Sequence, residues 1–432
     1  MATEDRRERF GGVGSGRRVV IAAVAMVIVA EGAVWLLRPR AEPPEPAAVE
    51  VADYFEPVAV ERAEDFRRGQ LALFAGGLAI QGTLLGALVL GRPAVAGRAL
   101  ERVGRRRVAS AAAAGAGISA ALVVATIPVD LWAHERAVDA GISTQSLGPW
   151  LADLGKGAAI GAGFAALGAA ALLALVRRLP RAWPAPGAVV LVGVSAAFSW
   201  LAPVLLAPLF NEFEPLPDGS ELRTEVLDLA ERAGVEVGEV YEVDASRRST
   251  SLNAYVGGLG PTKRVVLYDN LVDDAERPEL RSVVAHELAH QEHRDIPRGL
   301  LFLAIVAPLG LVFTREAATA LAARRGADPG SPAALPGYAL ALGAASLGLM
   351  IPGNQLSRQV EASADDFAIE LTREPAALID LQKRLAETNV SDPDPPAVVS
   401  FLLGSHPPAI ERIGAAVARE RVSPGPAEPT PP

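Results

Sequence analysis

Along this chain the apolar residues come in long unbroken blocks separated by short charged stretches. Blocks at 19–37, 71–90, 108–129, 157–176, 187–210 and 333–351 each approach the roughly twenty residues that cross a bilayer core as a helix. A seventh, 299–313, is shorter, and the weakly polar stretch 314–323 extends it. Seven membrane helices are expected, the sixth having the least certain bounds. The first block is too long for a secretory signal, ends on Arg38-Pro39-Arg40 and shows no clear cleavage site, so it reads as a retained span. Glu31 lies within it. A carboxylate in a span is either functional or bonded to a neighbouring helix.

The polar segments divide the rest. Residues 1–18 and 422–432 read as disordered ends, 19–210 as the first five membrane helices, 211–298 as a catalytic insertion, 299–352 as helices six and seven, and 353–421 as a helical C-terminal part. Within the insertion, Leu222, Val226 and Leu229 recur at helical spacing after Asp218-Gly219, predicting a helix over 220–233. Strands are expected at 235–243, 251–256 and 264–268, the last two joined by a glycine-rich turn. That turn is not a phosphate loop, because no Gly-Lys-Ser/Thr follows it. After the seventh block, helical spacing returns at 355–371, 375–387 and 407–419. The fold expected is a mainly α-helical polytopic membrane protein with a small α/β insertion.

Composition narrows the chemistry. Without cysteine there are no disulfides, thiol nucleophiles or cysteine zinc ligands. The net charge of −9 and the lack of a basic aromatic stripe point away from nucleic acid. Only five histidines are present, and two fall in His286-Glu287-Leu288-Ala289-His290. Residues four apart share a helix face, so His286 and His290 can aim at one metal ion, with Glu287 beside them as a base. A catalytic zinc site needs a third protein ligand. His293 shares the face but lies about 10 Å along the helix from His286. His406 is a second candidate, and Glu361 is the best. It lies four residues from Asp365, which could orient a ligand imidazole.

Four stretches together resemble the type I CAAX prenyl endopeptidases, integral membrane zinc proteases. They are HELAH; Asn354–Asp365, reading NQLSRQVEASAD; Ser251-Leu252-Asn253-Ala254-Tyr255 with Arg264–Asp269; and Ser405-His406-Pro407-Pro408 running to Glu411-Arg412. The resemblance implies one Zn2+ per chain, held by His286, His290 and Glu361, with Glu287 as base and Asp365 supporting a ligand histidine. It implies that His406 and Arg412 approach the scissile peptide or the developing oxyanion. Asn253, Ala254 and Tyr255 would hold the substrate backbone, and the membrane helices would enclose a chamber containing the metal. Expected partners are a peptide or membrane-protein substrate and the lipid bilayer, with the chain a monomer in a bacterial plasma membrane. The bacterial source is inferred from the excess of Arg over Lys and the abundance of Ala and Gly. Whether substrates are lipid-modified stays open. A heat-shock-type quality-control protease and a non-catalytic membrane scaffold are the alternatives. Loop basicity places the N-terminus in the cytoplasm and the HELAH segment outside.

Overall fold

The computed structural model describes residues 2–40, 43–91, 107–258, 263–324 and 326–422. Seven of its helices are long and apolar enough to cross a membrane. They are α1 (Ala2–Leu37), α2 (Pro57–Leu90), α3 (Arg107–Asp139), α4 (Leu147–Arg178), α5 (Pro184–Leu205), α9 (Asp295–Ala323) and α10 (Leu335–Thr372). Each apolar block falls mostly on one of them, although 187–210 runs past the end of α5 at Leu205, and α9 runs through the weakly polar stretch to Ala323. The backbone before residue 19 continues the first span as helix. That helix begins at Ala2. The basic loop 92–106 and the proline-rich tail 423–432 lie outside the described residues.

Small residues let these helices approach. Ala111, Ala114 and Ala169 are buried between α3 and α4, and Gly115 lies so close to the Ala165 carbonyl that a Cβ would not fit. In lipid, where apolar burial gives no advantage over the solvent, such close backbone contact is what holds helices together. Glu31 on α1 accepts a 3.4 Å hydrogen bond from Gln355 of α10, so this carboxylate is bonded to a neighbouring helix.

The insertion builds a four-stranded sheet in the order β1-β2-β4-β3, from β1 (Phe213–Pro215), β2 (Glu239–Val243), β3 (Ala254–Gly257) and β4 (Arg264–Tyr268). β2 and β4 are parallel, while β1 and β3 pair antiparallel at the two edges. The three-residue β1 has no alternation to betray it in sequence. Between β1 and β2 lies α6 (Glu221–Arg232), capped by Ser220 Oγ, which accepts from the Arg223 N–H.

One face of the sheet, carrying Val240, Ala254, Val256, Val265 and Leu267, packs on α6, on α8 (Arg277–Glu292) and on α11 (Pro375–Thr388). Short α7 (Asp269–Asp274) leads from β4 to α8. The α8 helix opens on a capping box between Glu276 and Glu279, with Pro278 in its first turn. Buried Glu279 is held from α11 by Arg384 at 2.8 Å. Leu280, Val284 and Leu288 fill the core side of α8.

Two junctions position the site. Arg294, in the left-handed conformation with φ 57°, ends α8 and starts α9, so the HELAH helix turns straight into the sixth span. The α10 helix is continuous for 38 residues, through Pro352. Seventh span and NQLSRQVEASAD segment, which the sequence divides near residue 352, are therefore one rod. Short α12 (Ala397–Leu403) and α13 (Ala409–Val422) then fold back against it.

Candidate metal centre

HELAH lies on α8 and Glu361 on α10, and their packing brings three ligand groups together. One ligand atom from each of His286, His290 and Glu361 falls within 4.8 Å of the others. His286 Nε2 is 3.2 Å from Glu361 Oε2, and His290 Nε2 is 3.7 Å from Glu361 Oε1. Donor atoms about 2.0–2.1 Å from a tetrahedral zinc lie about 3.4 Å apart. Glu361 Oε2 is buried and has no hydrogen-bond partner, although an imidazole nitrogen is close. An orphaned carboxylate oxygen facing two imidazoles fits a bound cation, which would satisfy it. The donor set of two nitrogens and one carboxylate is that of a catalytic zinc with one position left open.

Each ligand imidazole is oriented from behind. His286 Nδ1–H donates to Asp365 Oδ1 at 2.8 Å, and Arg412 grips that carboxylate with two 2.6 Å hydrogen bonds. His290 Nδ1–H donates to Asp295 Oδ2 at 2.9 Å, and Arg298 pairs with Asp295. A carboxylate on Nδ1 fixes the tautomer that leaves the Nε2 lone pair toward the metal. The site therefore has two His–Asp–Arg relays, one for each histidine. Burial disfavours the charged form of His286, but Asp365 and Glu361 outweigh it and push its pKa up to about 10. A cation entering the site competes with that proton.

Sequence reasoning missed the second relay. Asp295 is five residues beyond His290 and off its helical face. Only the left-handed turn at Arg294 carries it back. The signal available was an Asp-x-x-Arg spacing straight after HELAH.

The remaining site residues are distributed as follows. Glu287 is largely enclosed beside both histidines. Burial pushes its carboxyl up, and the neighbouring imidazoles partly offset that. His406 Nε2 is 3.4 Å from Glu361 Oε1, and its Nδ1 is 3.0 Å from Ser405 Oγ. The His406 side chain is 58% exposed, so it opens to water although protein surrounds it. Burial lowers its pKa, which keeps the imidazole neutral. His293 lies apart from the cluster, with its ring edge-on to Phe367. Arg412 is committed to Asp365, so its placement is behind the histidine. Asn253 is exposed at the start of β3, with its Oδ1 accepting from the Ala254 N–H.

Asn354 and Arg358, in the same segment of α10 as Glu361, have a job that the spacing did not disclose. Asn354 Nδ2 donates to the Leu402 carbonyl, and Arg358 donates to the carbonyls of Ser400 and Gly404. These bonds to carbonyls at the C-terminal end of α12 and at Gly404 fix the turn that presents His406.

Comparison with known proteins agrees with this geometry. Residues 218–420 match the model of peptidase family M48, and residues 107–212 match that of the CAAX prenyl protease N-terminal region, five membrane helices. A Bacillus subtilis protein described as uncharacterized metalloprotease YhfN is 30% identical over 301 residues, which is 68% of this chain and 70% of that one. The chain belongs to peptidase family M48. Among its other M48 relatives, the Arabidopsis thaliana CAAX prenyl protease 1 homolog is 34% identical over 51% of this chain and 53% of its own. The yeast Saccharomyces cerevisiae CAAX prenyl protease 1 is 40% identical over 24% of this chain and 22% of its own. The match thus spans about half or less of those eukaryotic relatives. The crystal structure of S. mikatae Ste24p superposes with a TM-score of 0.72 at 20% identity, over 94% of this chain and 98% of that one, which establishes a shared fold. This M48 member is a multi-pass membrane zinc metalloprotease of the CAAX prenyl protease type.

Proposed function

We propose that this protease hydrolyses peptide bonds in membrane-associated or lipid-modified polypeptides, which it receives as an extended strand along the free edge of β3. The observation that carries the reading is the grouping of His286, His290 and Glu361 with Glu287 beside them and β3 next to α8. Zinc there supplies a Lewis acid and makes a water molecule acidic enough to ionise near neutral pH. Glu287 takes the proton of the attacking water and returns it to the leaving amine. Its raised pKa suits both halves of that exchange. Neutral His406, with Nδ1 engaged by Ser405, offers an Nε2–H toward the carbonyl oxygen as it gains charge. Asp365 and Asp295 hold the ligand histidines in register, and Arg412 and Arg298 hold those carboxylates in place.

The substrate backbone would pair with Ala254 and its neighbours, while Asn253 and Tyr255 flank the pairing. Lipid modification is favoured because the metal helix leads directly into α9, which places the cleavage site close to the membrane. The relative in Bacillus subtilis supports a bacterial plasma membrane, and the protein acts as a monomer. Purified protein should be offered a peptide pair that differs only in a C-terminal cysteine prenyl group. Faster cleavage of the prenylated member supports the reading. Equal rates would remove lipid recognition from it and leave general membrane proteolysis.

A further inference from the structure

The free edge of β3 is only partly open. Ala254 lies opposite Leu267, Tyr255 opposite Val266, Val256 opposite Val265 and Gly257 opposite Arg264. The Tyr268 N–H donates to the Asn253 carbonyl at 3.1 Å. Bonded and non-bonded pairs alternate along an antiparallel ladder. Asn253, Tyr255 and Gly257 therefore turn their backbone groups toward β4, whereas Ala254 and Val256 aim theirs outward. The edge has four outward groups, and two are already engaged. The Ala254 N–H donates to its neighbour Asn253 Oδ1 at 2.9 Å. The Val256 carbonyl accepts from Gln291 Nε2 at 3.1 Å. The strand ends after Gly257, where Gly258 takes a φ of 95°.

Gln291 directly follows the ligand His290 on α8, so one side chain links the metal helix to the substrate edge. We propose that Gln291 is a specificity-determining residue that stops substrate pairing at Val256. By holding the Val256 carbonyl it leaves the Ala254 carbonyl as the one outward acceptor on β3. Substrate backbone that continues past Tyr255 toward Gly257 then finds no second acceptor. The same bond fixes the height of the edge relative to His290, and so the register in which a paired peptide meets the metal. This inference rests on the reading that substrate adds to β3.

Ester substitution of the substrate backbone tests it. A quenched fluorogenic decapeptide cleaved by the intact, zinc-loaded protein is remade as a series, with one N–H at a time replaced by an ester oxygen. In the parent, one position on the β3-paired side should be sensitive. In Gln291→Ala, and in Gln291→Met, which keeps bulk but has no donor, the Val256 carbonyl is released. A second sensitive position should appear two residues from the first, because outward groups recur with period two in either strand direction. KM for the all-amide peptide should fall about three- to tenfold, the worth of one added hydrogen bond. A parent profile with one sensitive position that is unchanged in both variants overturns the stop alone. A flat parent profile overturns pairing on β3, and the stop with it. A loss of stability in either variant does not imitate the new position, since zinc content is measured on each sample.

Discussion

At the scale of single residues, the site depends as much on what stands behind the ligands as on the ligands themselves. The two His–Asp–Arg relays are chemically equivalent, so Asp295 should matter as much as Asp365. Replacing either by Asn keeps the shape but removes the charge that holds the imidazole. We expect each variant to bind zinc about 10- to 100-fold more weakly, measured by competition with a chromogenic chelator. Parental affinity in Asp295→Asn would show that the second relay is not used. His406→Phe removes a donor but no ligand. It should retain zinc while turnover falls about 100-fold or more, and loss of the metal in that variant would make His406 a ligand instead. Arg412 donates from Nε and Nη2 to Asp365, behind the ligand His286. Its loss should therefore track that of Asp365, in zinc affinity before KM.

Elements set these residues in place, and the legibility of the sequence differs from one to another. The HELAH helix could be read because its spacing, capping residues and apolar face agree. The seven apolar blocks could be read because the bilayer demands a length of each one. Asp295 escaped because a left-handed residue, Arg294, reverses the direction of the chain, and helical periodicity carries no information across such a break. The continuity of α10 escaped because Pro352 resembles a terminator, yet it sits inside the helix. Packing of the first linker on α13 escaped as well. The Ala47 N–H donates to the Gly414 carbonyl at 2.9 Å, and a Cβ on Gly414 would lie 2.5 Å from the Ala47 carbonyl oxygen. That contact lies two residues from Arg412. Gly414→Ala should destabilise the catalytic unit by about 1–3 kcal/mol through overpacking, and it should raise protease sensitivity around residues 43–50. An unchanged melting temperature with unchanged digestion would show that the linker yields freely.

For the whole molecule, the sheet, the metal helix and the membrane helices form one device rather than a protease domain tethered to an anchor. The α8 helix continues as α9, and the third ligand lies on the same rod as the seventh span. Seven spans put the two chain ends on opposite sides of the membrane. Reporters fused before Met1 and after Pro432 should give opposite signals, and matching signals would remove one span, α9 first. The central claim is that His286, His290 and Glu361 hold zinc while Glu287 does the proton transfer. The most direct measurement is single-turnover cleavage of a membrane-tethered peptide by the reconstituted protein, with zinc quantified on the same samples. Glu287→Gln keeps size and hydrogen bonding but removes basicity, so it should retain one zinc per chain, melt like the parent and cleave at least about 100-fold more slowly. Glu361→Ala should lose the metal and activity together. Near-parental cleavage by zinc-loaded Glu287→Gln, or full zinc occupancy in Glu361→Ala, would contradict the account.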